Sequence, residues 1–165
     1  AGKVTVPRED FVPEASRASA YIDRTIPLGG GAALGSPLAH GEIPTHARPQ
    51  PDETALLVGP ATGYLAELIR PLVADLRETT ADLLLAKDVD GTFDLVIVDG
   101  ALEDVPAQLI ATLAPNGRLV AGVIRKGITR LEVGRRSGDD VSLLAITETQ
   151  LPRLPQFDKP QGWSF

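Results

Sequence analysis

Cysteine and methionine are both absent from this chain of 165 residues. The absence of cysteine excludes disulfide bonds, thiolate metal sites and a cysteine nucleophile. Because methionine is absent even at position 1, we expect the sequence to be trimmed or to lack modified methionines.

Positive charge is scarce as well. The 16 Lys and Arg residues are outnumbered by 22 Asp and Glu residues, which gives a formal net charge of −6. Apart from "RRSGDD" the basic residues do not cluster, so the sequence disfavours a nucleic-acid partner. No apolar run approaches the length of a membrane span, and the start "AGKVTVPRED" lacks a signal-peptide core. We therefore expect a cytoplasmic protein without a membrane partner.

Histidine occurs only twice, as His40 and His46. Their spacing of six residues does not place both on one helical face, where a metal pair needs a spacing of three or four. Pro44 lies between them and interrupts a helix. The pattern predicts a solvated loop with no metal site.

The residue composition and the apolar periodicity change once along the chain, near residue 52. A hydrophobic content of 43% over 165 residues fits a single domain with its own core, residues 1–165. Residues 1–51 are rich in proline and glycine and show little periodicity. From Glu53 onward, residues 53–165 alternate between strand-like and helix-like patterns.

The second part begins with strand-like segments. The apolar run "TALLV" (Thr54–Val58) predicts a buried strand, and a helix follows from Tyr64 until Pro71 ends it early. The segment "DLLLA" (Asp82–Ala86) is predicted as a short strand. The clearest strand is "TFDLVIVDG" (Thr92–Gly100).

The remaining segments complete an alternating pattern. We predict a helix over Val105–Leu113, a turn over Ala114–Arg118 and a strand through "RLVAGVI". "ITRLEVGR" and "VSLLAIT" read as an antiparallel hairpin across "RSGDD". Alternation of strands and helices before a terminal hairpin predicts an α/β sandwich around a mostly parallel sheet.

Four blocks, in order across nearly the whole chain, carry a resemblance to a known family. They are "VPREDFVPEASRASAYIDRTIPLGGG" (Val6–Gly31), "LLVGPATGY", "FDLVIVDGALEDVPAQLIATLAPNGRLVAGV" and "LPRLPQF". The first block is the most specific, because the third alone fits many methyltransferases. Together they resemble the protein-L-isoaspartate O-methyltransferases.

The resemblance implies a fold and an activity. It implies a shortened Rossmann-like class I methyltransferase sandwich with a mostly parallel sheet and a C-terminal antiparallel hairpin, residues 1–51 lying on the substrate side. It implies transfer of a methyl group from S-adenosylmethionine to the α-carboxylate of isoaspartyl residues, which is protein repair. The implied partner is a protein or peptide with isoaspartyl residues. Because a shortened fold exposes a face, a homodimer is one way to cover it.

The resemblance also assigns cofactor-binding positions. The glycine turn corresponds to Gly59, Ala61 and Gly63, with Thr62 and Tyr64 in the same stretch. Ala61 adds a Cβ where the backbone should face the cofactor, and Pro60 removes an N–H donor, so we expect weakened binding.

The ribose-binding carboxylate of the family falls on Thr80 in this sequence. Glu78 and Asp82 lie two residues to either side and, on a strand, would share its face and substitute for it. Asp99 and Gly100 end the clearest strand, where α/β sheets bind ligands.

The substrate loop departs from the family pattern, because "GAALGSP" (Gly31–Pro37) has Ala33 and Gly35 at the two hydroxyl positions. Ser36 is adjacent and is the candidate catalytic residue. An ionised carboxylate needs no general base to attack a methyl group, so positioning and exclusion of water carry the reaction. Gly41, Pro44 and the prolines after it predict a broken helix beyond this loop.

Two other readings stay open beside the methyltransferase. One is a fold that has lost catalysis and acts as a binding or interaction module. The other is an enzyme of another specificity that uses Ser36 or Asp99 on the same scaffold. A nicotinamide-binding Rossmann enzyme is disfavoured, because the loop offers Gly59, Ala61 and Tyr64 where Gly-x-Gly-x-x-Gly is needed.

Overall fold

A computed structural model describes residues 26–29, 32–34, 37–59 and 63–159. The predictions for Ser36, Ala61 and Thr62 therefore lie outside the described residues. Within the described ranges, no helix is both long and apolar enough to cross a membrane.

A six-stranded sheet forms the centre of the molecule, and a two-stranded hairpin precedes it. The strand order in the large sheet is β4-β3-β5-β6-β7-β8. The strands are β1 Ile26–Gly29, β2 Ala32–Leu34, β3 Thr54–Val58, β4 Asp75–Thr79, β5 Phe93–Leu102, β6 Leu113–Arg125, β7 Ile128–Ser137 and β8 Asp140–Glu148. Strands β4, β3, β5 and β6 run parallel, and β7 and β8 add an antiparallel hairpin. The predicted mostly parallel sheet with a terminal hairpin is confirmed.

Among the described residues, four α-helices connect or precede the strands of the large sheet. They are α1 Pro37–Ala47, α2 Tyr64–Ile69, α3 Ala81–Leu85 and α4 Ala107–Ile110. Helix α2 passes into a 3₁₀ turn over Arg70–Leu72, so the prediction that Pro71 ends this helix early is confirmed.

Two apolar layers cover the two faces of the sheet. Alternate residues of β3 enter opposite layers, because successive side chains of a strand point to opposite faces. Ala55 and Leu57 pack in the layer that contains residues of α1 and α2. Leu56 and Val58 pack in the layer that contains residues of α3 and α4. The predicted strand Thr54–Val58 is confirmed with the same bounds.

The predicted strand Asp82–Ala86 is wrong, because these residues belong to α3 and its end. The hydroxyl of Thr80 accepts a hydrogen bond of 3.3 Å from the backbone N–H of Leu83 and caps the helix. Such a cap satisfies a free N–H group of the first turn and favours helix over strand. The second strand of the parallel part is instead β4, which begins seven residues earlier in the chain.

The predicted break in the helix after the substrate loop is also wrong. Helix α1 is continuous over 11 residues, with Gly41 and Pro44 inside it. Pro44 has no N–H to donate, yet its carbonyl accepts from the N–H of Arg48 at 3.2 Å. The hydroxyl of Thr45 donates to the carbonyl of Gly41 at 3.1 Å. Burial of Ile43 and Ala47 against the sheet offsets the low helix propensity of glycine and proline.

Further boundaries differ from the sequence expectations. β5 runs two residues beyond Gly100, so Asp99 and Gly100 lie at an irregularity within the strand and do not close it. The predicted helix over Val105–Leu113 is shorter, since α4 ends at Ile110 and β6 begins at Leu113. Ala114–Arg118 forms an irregular excursion inside β6.

Candidate functional site

The candidate site lies where the direction of the sheet connections changes. From the central strand β3, the chain continues to β4 on one side, while β5 lies on the other side. In open parallel sheets, ligands bind outside the carboxyl ends of the strands at such a switch point. The residues at this edge are Gly59 after β3 and Asp99 in β5.

Gly59 and Asp99 are in direct contact. A Cβ placed on Gly59 would lie 2.9 Å from the Cβ of Asp99 and 3.2 Å from its carbonyl oxygen. The N–H of Gly59 donates to the carbonyl of Thr79 at 3.1 Å, which ties the turn to β4. Glycine is therefore required here by the close approach of β5.

His40 and Asp99 form a buried pair at the same edge. Nε2 of His40 lies 2.8 Å from Oδ1 of Asp99. The exposed fractions of the two residues are 1% and 3%. The expectation that His40 lies in a solvated loop is wrong, because α1 carries this side chain onto the sheet. His46 lies in the last turn of α1 and is partly buried.

The turn between β3 and α2 ends on Gly63 and Tyr64. Gly63 adopts a left-handed conformation with φ of 81°, which a residue with a Cβ rarely adopts. The ring of Tyr64 is buried, and its centroid lies 5.4 Å from that of His40 at an interplanar angle of 39°. The structure thus brings Gly59, Gly63, Tyr64 and Asp99 together.

Glu78 and Asp82 do not share a strand face. Glu78 lies on β4 opposite Leu57, one residue before the strand ends, and its carboxylate accepts a hydrogen bond of 3.1 Å from Arg70. Asp82 is exposed in the first turn of α3. The expectation that both acids share a strand face on either side of Thr80 is wrong, because α3 begins directly after Thr80.

Gly100 packs against the segment near the C-terminus. A Cβ on Gly100 would lie 2.6 Å from Cγ of Leu154. The N–H of Ala101 donates to the carbonyl of Pro152, and the N–H of Leu154 donates to that of Ala101, each at 2.8 Å. The position of Gly100 therefore has a packing role beside the site.

Arg118 fixes α1 against the sheet from its other end. Its guanidinium contacts both carboxylate oxygens of Glu53 at 2.7 Å. The same group donates to the carbonyl of Ala47 at 3.0 and 3.2 Å and to that of Arg48 at 3.3 Å. The hydrogen bond from Arg118 lowers the pKa of Glu53, and Glu53 in turn raises the pKa of Arg118.

His40 is the site residue that sequence reasoning missed. The signal was present, because Ala39, Ile43 and Ala47 recur at helical spacing and are all buried. His40 lies on that apolar side of α1. The described residues contain no group of three His, Cys, Asp or Glu side chains that could hold a metal ion.

Comparison with known proteins shows similarity to the protein-L-isoaspartate O-methyltransferases. A family model described as "Protein-L-isoaspartate(D-aspartate) O-methyltransferase (PCMT)" matches residues 3–80. The protein-L-isoaspartate O-methyltransferase of Roseiflexus sp. is 32% identical over 159 residues, which cover 81% of this chain and 73% of that protein. The corresponding protein of Opitutus terrae is 33% identical over 144 residues. That match covers 72% of this chain but only 62% of the relative.

Two solved structures share the fold. One is titled a putative protein-L-isoaspartate O-methyltransferase from Plasmodium falciparum in complex with S-adenosyl-L-homocysteine. It has a TM-score of 0.65 and 15% identity, covering 90% of this chain and 86% of that one. The other, titled protein-L-isoaspartate O-methyltransferase, has a TM-score of 0.72 and 13% identity. It covers 93% of this chain and 60% of that one.

Proposed function

Because the chain belongs to the protein-L-isoaspartate(D-aspartate) O-methyltransferase family, we propose that it methylates the α-carboxylate of isoaspartyl residues in proteins. S-adenosylmethionine is the proposed methyl donor. Attack of the adjacent backbone nitrogen on the product ester then forms a succinimide and releases methanol, which is the chemistry of protein repair.

One observation carries the proposal. The turn after β3 begins at Gly59 and ends at Gly63, which has a left-handed conformation. Gly59 contacts Asp99 at the switch point of the parallel sheet. Bulky ligands of α/β sheets bind in this crevice. The conformation of Gly63 and the glycine at position 59 fit a cofactor cradle, and Glu78 stands near the end of the next strand.

The residues of the crevice have distinct proposed roles. Gly59, Ala61, Thr62 and Gly63 approach the cofactor through their backbone, and the ring of Tyr64 closes the inner wall. Glu78 is the proposed acceptor for the ribose hydroxyls. Its ion pair with Arg70 is solvent-exposed, with side-chain exposures of 43% and 47%. Because an exposed ion pair contributes little free energy, replacing it by a bond to a ligand costs little.

On the substrate side, we propose that Ser36 contacts the isoaspartyl carboxylate. S-adenosylmethionine supplies a methyl group that an ionised carboxylate attacks without a general base. The chain therefore contributes orientation of the two reactants and exclusion of water.

The experiment is calorimetric titration with S-adenosylhomocysteine of the wild type and of Gly63→Ala. We expect micromolar binding by the wild type and at least tenfold weaker binding by the variant, because alanine disfavours the left-handed conformation. Gly138→Ala is the matched control, since Gly138 also has a positive φ, of 62°, but lies in the β7–β8 turn. Absence of heat up to millimolar ligand would contradict the proposal and favour an interaction module.

A methylation assay then tests the substrate class. We expect transfer to a peptide that contains one isoaspartyl residue and none to the same peptide with a normal aspartyl residue. Equal transfer to both peptides would indicate a carboxyl methyltransferase of another specificity.

Finer features also belong to the proposal. We propose one domain over residues 1–165, with residues 1–51 on the substrate side, and a cytoplasmic location. A homodimer is supported by two apolar side chains on the edge strand β8, Leu144 and Ile146, which are 69% and 42% exposed.

A further inference from the structure

The buried carboxylate of Asp99 is the strongest unexplained group of the crevice. It contacts Gly59, the first residue of the proposed cofactor turn, and it is almost fully removed from water. Within the part of the chain that the structure describes, the side chain that bonds to this carboxylate is His40. A carboxylate is seldom buried unless a strong partner or a functional role offsets the free-energy cost of removing its charge from water.

His40 is a partner that can bond to the carboxylate of Asp99 without neutralising its negative charge. Lysine or arginine would bring a permanent positive charge to Asp99. A histidine with its proton on Nε2 donates a hydrogen bond while staying neutral. Such a pair fixes the orientation of Asp99, and with a neutral imidazole it keeps the negative charge of the carboxylate at the base of the crevice.

A negative charge in this place distinguishes the two forms of the proposed cofactor. S-adenosylmethionine carries a methyl group on a positively charged sulfonium, whereas S-adenosylhomocysteine has a neutral thioether without that methyl group; their adenosine and amino-acid parts are the same. An electrostatic interaction is strongest where water is excluded, as it is around Asp99. Contacts to the common adenosine and amino-acid parts cannot separate the two forms, whereas the charge at the sulfur can.

We propose that Asp99, oriented by His40, is a specificity-determining residue that makes the crevice favour the sulfonium form of the cofactor over the thioether product. This inference rests on the proposed function and deepens it. Its consequence is weaker inhibition by product, because the spent cofactor loses the interaction that held the fresh one. His40 is a positioning residue in this arrangement.

The test compares dissociation constants of S-adenosylmethionine and S-adenosylhomocysteine, measured by calorimetry without a methyl acceptor. We expect Asp99→Asn to shift the ratio of the two constants about tenfold toward the thioether. Glu67→Gln is the matched control, because it removes the same charge from α2 at a side chain that is 53% exposed. We expect Glu67→Gln to leave the ratio within twofold of the wild type.

Two variants of His40 test the arrangement without altering Asp99. His40→Gln keeps a neutral N–H donor, so the preference should be retained. His40→Lys brings a positive charge to the carboxylate, so the preference should be lost as in Asp99→Asn. This second variant decides the question if Asp99→Asn does not fold, as judged by thermal unfolding.

The outcomes separate the two proposals. If the wild type binds neither compound, the proposed function fails and this inference with it. If the wild type binds both compounds but neither Asp99→Asn nor His40→Lys moves the ratio beyond twofold, only the inference on Asp99 is overturned. A loss of affinity that is equal for both compounds would likewise show that Asp99 is merely structural.

Discussion

The pair of Arg118 and Glu53 offers the sharpest test of how the site is supported. Both side chains are largely buried, with exposures of 14% and 13%, and two contacts of 2.7 Å join them. Removing one partner of such a pair leaves the other charged group without its counter-ion, which costs about 3–5 kcal/mol when burial is complete. We expect Arg118→Ala to lower the free energy of unfolding by about 3 kcal/mol, since burial here is incomplete.

Three variants complete a double-mutant cycle. We expect about 2 kcal/mol for Glu53→Gln, because a neutral amide keeps one acceptor for Arg118. The double variant should cost less than the sum of the single ones by about 1–2 kcal/mol, since both lose the same interaction. Urea unfolding followed by far-ultraviolet circular dichroism measures these values from the transition midpoint and slope.

The pH dependence provides a second measurement on the same pair. Arg118 holds the pKa of Glu53 below its ordinary value of 4.5 in the folded protein. The stabilisation from Glu53 is therefore complete above the pKa of the unfolded chain and is lost as the pH falls through the lower folded value. The wild type should lose stability faster than Glu53→Gln when the pH falls below about 4.5.

Two results would refute this reasoning. One is a cost of Arg118→Ala below about 0.5 kcal/mol, which is the usual effect of a surface substitution. The other is additivity of the two single variants within about 0.3–0.5 kcal/mol. Asp139→Asn is the control, because the carboxylate of Asp139 is fully exposed and 3.9 Å from its partner; it should leave the midpoint unchanged.

Three further predictions concern the β6–β7–β8 part of the sheet. Arg125→Gln should cost about 2 kcal/mol in urea unfolding, because it removes the two 3.0 Å bonds to Glu132, which is 2% exposed; an unchanged midpoint would contradict this. Gly134→Ala should cost about 3 kcal/mol or prevent folding, because the added Cβ would lie 1.9 Å from the carbonyl oxygen of Ser142; near-native thermal stability would be the contrary result. Leu144→Ser should convert the proposed homodimer to a monomer in light scattering with little change in stability, because this side chain is 69% exposed; a wild type that is already monomeric would disprove the dimer.

Apolar periodicity predicted the centre of the fold well. Strands buried on both faces form continuous apolar runs, so β3 and most of β5 were visible in the sequence. The hairpin of β7 and β8 was visible because a Gly-Asp turn separates two alternating segments. β4 was missed as a separate element, because only Leu76 of its five residues is buried and the strand has a mixed polar sequence.

The candidate site was predicted only in outline. Asp99 and the glycine turn were named because they follow apolar runs, which is a local signal. The contact of His40 with Asp99 spans 59 positions and depends on α1, which glycine and proline had concealed. The capping of α3 by Thr80 likewise outweighed the apolar run that predicted a strand. Tertiary packing decided both cases, and local propensity cannot anticipate it.

Helix α1 is anchored near both of its ends, by His40 at the carboxyl edge of the sheet and by Arg118 at the opposite edge. Eleven residues of α-helix span about 16 Å, so α1 works as a strut across the sheet. A strut that is fixed at two points cannot slide along its axis or tilt without breaking one of them. We therefore expect α1 to keep its place when a ligand binds. If α1 is held in this way, its backbone N–H groups should exchange slowly with solvent, and a bound ligand should not change their exchange rates.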